Sequence, residues 1–128
     1  RIDYNAHQTK ISYLEYTPKT HRVFKPIVCN EIDYSLKYAD RELINALFAQ
    51  KGEADEIIII KGDFVTDCSI GNLAFRKGTQ WFTPNTPLLK GTQREYLLQS
   101  GQLQEIEIRQ EQLEQFDEIR VINALNEL

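Results

Sequence analysis

Four consecutive isoleucines, Ile57-Ile58-Ile59-Ile60, constrain this fold more than any other feature of the chain. Branching at Cβ favours extended backbone, and successive strand residues point to opposite faces of a sheet. A run that is apolar at every position therefore predicts a strand buried on both faces. Lys61-Gly62-Asp63 then turns the chain into Phe64-Val65-Thr66, the return strand of a hairpin.

The rest of the chain reads around that strand. Leu36, Ala39, Leu43, Ala46 and Leu47 recur at helical spacing, with Ile44 and Phe48 widening the stripe. They predict a helix from about Ser35 to Gln50, ended by Gly52. Leu73-Ala74-Phe75-Arg76 and Thr79-Gln80-Trp81-Phe82-Thr83 flank Lys77-Gly78 as a second hairpin, and Pro84 and Pro87 mark the loop after it. A further helix is expected from near Gly91 to Ser100, stopped by Gly101. Gln104 to Arg109 alternates as a strand, Gln110 to Gln115 suits a helical turn, and Glu118 to Ile122 a last strand. Before all of these, Arg1 to Tyr16 reads as a hairpin around His7-Gln8-Thr9-Lys10, and the basic stretch Thr17 to Pro26, with Pro18 and Pro26, as a connector. The expected fold is α+β (mixed α/β), with predominantly antiparallel hairpins.

Composition narrows the function classes. A length of 128 residues with 41% hydrophobic content suits one core. The net charge of −4 argues against a nucleic-acid partner, which needs a basic face. No apolar run approaches the roughly 18 to 20 residues that span a bilayer, and Arg1-Ile2-Asp3-Tyr4 does not begin a signal peptide. Cys29, Cys68, His7 and His21 show no metal-ligand spacing, so no metal is expected and the thiols read as free, in a cytoplasmic protein. The chain contains no methionine, so a processed product or a fragment of a longer protein is expected.

Singly, the candidate chemical residues have ordinary explanations. Lys37 reads as a solvated helix charge, Asp67 as a turn or cap residue, and Gly91-Thr92 as a helix start. Their order is more specific. It runs from Leu36-Lys37-Tyr38-Ala39-Asp40-Arg41, through Ala54 to Ile59 and Val65-Thr66-Asp67-Cys68-Ser69-Ile70-Gly71-Asn72-Leu73-Ala74-Phe75, to Thr83-Pro84 and Leu88-Leu89-Lys90-Gly91-Thr92-Gln93-Arg94, and ends in Asp117-Glu118-Ile119 and Asn123-Ala124-Leu125. This order resembles the class IV aminotransferases, the pyridoxal-5′-phosphate (PLP) enzymes that include branched-chain and D-amino-acid aminotransferases and aminodeoxychorismate lyase.

The resemblance implies a D-amino-acid aminotransferase-like PLP-dependent fold. Residues 27–128 would be its larger, PLP-binding C-terminal domain, residues 17–26 the interdomain linker, and residues 1–16 the final hairpin of an otherwise missing N-terminal domain. It implies PLP as cofactor, with Lys37 as the Schiff-base lysine and general base, and Asp67 at the pyridine nitrogen, where relatives usually carry Glu. Gly91, Thr92 and Gln93 would cup the phosphate at a helix N-terminus, with Gln93 standing where many relatives have Thr. Ser69, Ile70, Asn123 and Ala124 would line the pocket, and Arg94 would pair with a neighbouring acid. The implied substrate is an amino acid or an aminodeoxychorismate-like small molecule, bound by a homodimer. Amino transfer through Lys37 is the leading expectation. The alternatives are a lyase that releases pyruvate and 4-aminobenzoate, towards which Cys68 and Asn123-Ala124-Leu125 lean, and an inactive fragment or non-catalytic relative.

Overall fold

The computed structural model describes residues 23–32 and 41–123. The expected N-terminal hairpin, Lys37 and Ala124 lie outside the described residues. The elements run β1 (Phe24–Val28), α1 (Arg41–Phe48) with a following 3-10 turn (Ala49–Lys51), β2 (Glu56–Lys61), β3 (Phe64–Val65), β4 (Asn72–Lys77), β5 (Gln80–Pro84), α2 (Thr92–Gln99), β6 (Gln104–Ile106), a second 3-10 turn (Gln110–Gln115), and β7 (Glu118–Ile122). They form an α+β domain with two mixed sheets, one in the order β1-β2-β3 and one in the order β6-β5-β4-β7.

The isoleucine run is the central strand of the first sheet. Ile58 and Ile60 pack with Val65, Leu73, Phe75 and Val121, in the core between the two sheets. Ile57 and Ile59 face the other way, against Ile27, Ile44 and Leu47. All four are at most 1% exposed, each contributing roughly 1.5–3 kcal/mol of transfer free energy. The alternation repeats in β4, where Leu73 and Phe75 face the first sheet and Ala74 meets Leu97 of α2. The layers therefore run helix, sheet, sheet, helix.

Gly62 and Asp63 have φ of 59° and 70°, so the hairpin between β2 and β3 turns through two left-handed residues, as a tight type I′ connection requires. On α1, Ile44 and Leu47 are the buried residues, flanked by Leu43 and Phe48, whereas Ala46 faces solvent. The buried stripe thus centres on Ile44.

Two further sequence expectations differ from the structure. Phe24, Lys25 and Pro26, read as the end of a connector, begin β1, which pairs in parallel with β2 from Phe24↔Glu56 to Val28↔Ile60. Pro26 is tolerated because β1 is an edge strand. The expected strand Gln104 to Arg109 is regular only to Ile106, which ends the parallel pairing with β5. Beyond it Ile108 drops into the core and Arg109 bridges to Phe64. Each sheet therefore holds one parallel pair.

Candidate active site

Four pieces of backbone converge on one cleft of about 270 Å³: the start of α1, the loop from β3 to β4, the loop that opens α2, and the end of β7. That volume lies just below the roughly 300–1,000 Å³ common for small-molecule clefts. Asp67, Ser69, Ile70, Gly91, Thr92, Gln93 and Asn123, far apart in sequence, all line it.

Asp67 is placed by the first sheet. The Thr66 N–H and hydroxyl donate to Ile59 O at 3.0 and 2.6 Å, and the Ile59 N–H donates to Asp67 O at 2.8 Å, so the ladder continues past β3. The Asp67 carboxylate is buried and met by neutral donors. Oδ1 accepts from Asn72 Nδ2 at 2.8 Å, and Oδ2 accepts from the N–H groups of Leu88 and Leu89 at 2.8 and 3.1 Å. Burial pushes its pKa up to about 6, although these hydrogen bonds and the charge of Arg94 pull the other way. Among the described residues, no salt bridge reaches Asp67.

Ser69 is held from behind by Glu56, a residue that the sequence reading passed over. Glu56, 1% exposed, accepts the Ser69 hydroxyl at 2.8 Å on either oxygen, the Ile57 N–H at 2.8 Å and the Ser69 N–H at 3.3 Å. Its position immediately before the isoleucine run was the available signal, since an acid abutting a fully buried strand must find donors. Ser69 O accepts from Arg41 Nη1 at 3.3 Å, which brings a cation to the cleft wall. Ile70 stands 39% exposed at the cleft, and its carbonyl accepts from Asn123 Nδ2 at 3.2 Å.

The opening of α2 forms the opposite wall. Gly91 is its N-cap and offers no capping side chain. The Gly91 N–H donates to Asn72 Oδ1 at 3.1 Å, so of the expected cup the donors that remain are the N–H groups of Thr92 and Gln93. Asn72, a second residue passed over, therefore touches both walls.

Two neighbours have structural roles. Arg94 is 1% exposed and points away into protein, donating to Glu95 at 2.6 Å, to Pro84 O at 3.1 Å and to Glu105. This is the acid pairing expected for it. Cys68 lines the cleft, but burial, and then the negative charge of Glu56, push its thiol pKa well up. The thiol donates to Gly71 O at 3.2 Å and stays protonated at neutral pH, which disfavours a nucleophilic role. Among the described residues there is no cluster of His, Cys, Asp and Glu suited to a metal ion, and no helix long and apolar enough to cross a membrane.

Known proteins are similar to this chain in sequence and fold. An uncharacterised protein of Haemophilus influenzae Rd is 62% identical over 128 residues, all of this chain and 68% of its own length. The crystal structure of a candidate 4-amino-4-deoxychorismate lyase from Haemophilus somnus 129pt matches 88% of this chain with a TM-score of 0.84 and 56% identity. This chain covers 58% of that one, so it spans under two thirds of its solved relative. An aminotransferase from Brucella abortus, bound to the cofactor PLP, matches over 88% of this chain and 45% of its own, with a TM-score of 0.63. At 15% identity that likeness is one of fold alone. Residues 35–128 match the model of the amino-transferase class IV family, and the chain belongs to that family.

Proposed function

We propose that this chain is the cofactor-bearing part of a PLP-dependent lyase that releases pyruvate from an aminodeoxychorismate-like substrate. One observation carries the cofactor reading: a buried carboxylate that meets no counter-cation among the described residues and an uncapped helix start line the same cleft. The residues fit PLP at both ends. Among the described residues the Asp67 carboxylate uses three of its roughly four acceptor directions, which would leave one for a protonated ring nitrogen. The N–H groups of Thr92 and Gln93 suit an anion at the positive end of the helix dipole. The lyase reading is supported by the 56% identity to the candidate lyase of H. somnus.

When bound, PLP supplies an electron sink for charge developing at the substrate carbon. Asp67 would hold the proton on the ring nitrogen. Its carboxylate, raised by burial, returns towards ordinary acidity once a cation stands beside it. Lys37 Nζ would anchor the cofactor, then take the proton from the substrate α-carbon and deliver it at the next atom that needs it. Glu56 fixes Ser69, and Ser69 with Ile70 would form one side of the cofactor cleft. Ala124 would follow Asn123 along the wall. In this reading residues 1–16 are the end of a further N-terminal part and the connector stops at Val23, because Phe24 starts β1. A cytoplasmic homodimer completes it.

Amino transfer is the second reading, favoured by the family match itself. The test is to load the purified protein with PLP, reduce it with borohydride and map the label by peptide mass spectrometry. A single phosphopyridoxyl group on Lys37 is expected, and Lys37→Ala should abolish both the label and turnover. Label scattered over several lysines would sink the cofactor assignment. Pyruvate release from aminodeoxychorismate, set against exchange of amino groups with keto acids, then separates lyase from aminotransferase.

A further inference from the structure

Asn72 is 4% exposed and opens β4, where its backbone pairs with Ile122. Its side-chain amide is committed in three directions. Nδ2 donates to Asp67 Oδ1 at 2.8 Å and to Leu89 O at 2.7 Å, while Oδ1 accepts from the Gly91 N–H at 3.1 Å. Those partners fix which atom is oxygen, because a flipped amide would set N–H against the Gly91 N–H. Gly91 is fitted to the contact: a Cβ there would lie 2.7 Å from Asn72 Oδ1. Leu88 and Leu89 also donate to Asp67, so the segment that opens α2 hangs from two side chains of the neighbouring loop and strand.

We infer that Asn72 is a positioning residue that sets the span between the Asp67 carboxylate and the first turn of α2. It thereby selects ligands that carry a cationic ring nitrogen and a phosphate at that separation. The inference rests on the cofactor reading above and deepens it. A ligand that engages both ends gains from their fixed spacing, as any bivalent ligand does when the span matches. One that engages only the ring end gains nothing from it.

Comparing PLP with pyridoxal, which lacks the phosphate, isolates this contribution. Dissociation constants for both are measured by absorbance titration of the purified wild type and of Asn72→Ala, Asn72→Asp and Gly91→Ala. Asn72→Ala should weaken PLP by about 10- to 100-fold, the scale of one or two charge-assisted hydrogen bonds, and pyridoxal by only about threefold. Asn72→Asp keeps an acceptor for Gly91 but sets a carboxylate against Asp67, so it should weaken both ligands alike. Gly91→Ala presses on the same contact from the other side and should repeat the PLP-selective loss, which keeps the test open if Asn72→Ala does not fold. Equal losses for the two ligands in both alanine variants would overturn the inference and leave Asn72 a plain loop brace. A wild type that binds PLP no better than pyridoxal would instead overturn the cofactor reading, and the spacing role with it.

Discussion

Asp67 and Arg94 are both buried charged residues, and the molecule treats them in opposite ways. Arg94 meets two carboxylates, Glu95 and Glu105, each about two-fifths exposed, and a carbonyl of Pro84. Its charge is neutralised by the protein, at the edge of the second sheet. Among the described residues Asp67 receives only N–H groups that carry no net charge, and it borders a cleft. Hydrogen bonds lower the cost of keeping it from water without cancelling its charge, and its raised pKa records the remainder. A buried charge with a counter-ion of its own is scaffold. Asp67, with no counter-ion among the described residues and a cleft beside it, has room for a cation that Arg94 has no need of.

The contrast can be broken at several points. The largest effect is expected at the scaffold charge: Arg94→Ala should cost about 3–5 kcal/mol in urea denaturation, since it empties a buried site and splits its ion pairs. A loss below about 1 kcal/mol would mean that Glu95 and Glu105 do not hold it.

The second test is at Asp67, through pH. Its folded pKa of about 6 stands above the ordinary 3.8, so its contribution to stability is full below about pH 4 and is lost as pH rises through about 6. The shift corresponds to about 3 kcal/mol. Asp67→Asn should remove that dependence, so the difference between wild type and variant should fall between pH 4 and 6 and then level off. A difference that is flat with pH would show that Asp67 has a counter-ion after all.

The smallest effect concerns Glu56, the third buried charged residue among the described ones, whose carboxylate there also takes only N–H and O–H donors. Ser69→Ala removes the hydroxyl that serves both of its oxygens and should cost about 1–3 kcal/mol by thermal denaturation. No loss would mean that water replaces the hydroxyl, and that Glu56 is open to solvent as Arg94 is not.

What the sequence made legible follows from the range of each signal. The isoleucine run, the Gly62-Asp63 turn and the Gly91 to Gly101 helix are stated by neighbouring residues, and the structure has them where they were expected. Strand β1 was hidden because Lys25 and Pro26 resemble a connector and its parallel partner lies some thirty residues on. The cleft residues Asp67, Ser69, Gly91 and Thr92 came from the order of motifs, not from local pattern. Glu56 and Asn72 escaped because nothing beside them in sequence names their partners: Glu56 needs Ser69, and Asn72 needs Asp67, Leu89 and Gly91 together. Polar wiring of this kind is set by tertiary contact and leaves no periodicity to read.

Gly71 passes so close to the end of β7 that a Cβ there would lie 2.5 Å from Ile122 O. That contact, with β7 paired along β4, ties the assembly of the cleft to the order in which a ribosome makes the chain. As synthesis proceeds, β4 gains β5 almost at once, but its other edge stays bare until residues 118–122 have emerged. A nascent chain at that stage carries Asp67 and the start of α2 yet lacks the wall made by Ile122 and Asn123. Such a bare edge invites pairing with other chains. The cleft therefore closes only once this last strand is made, and whatever it holds can be held only from then on.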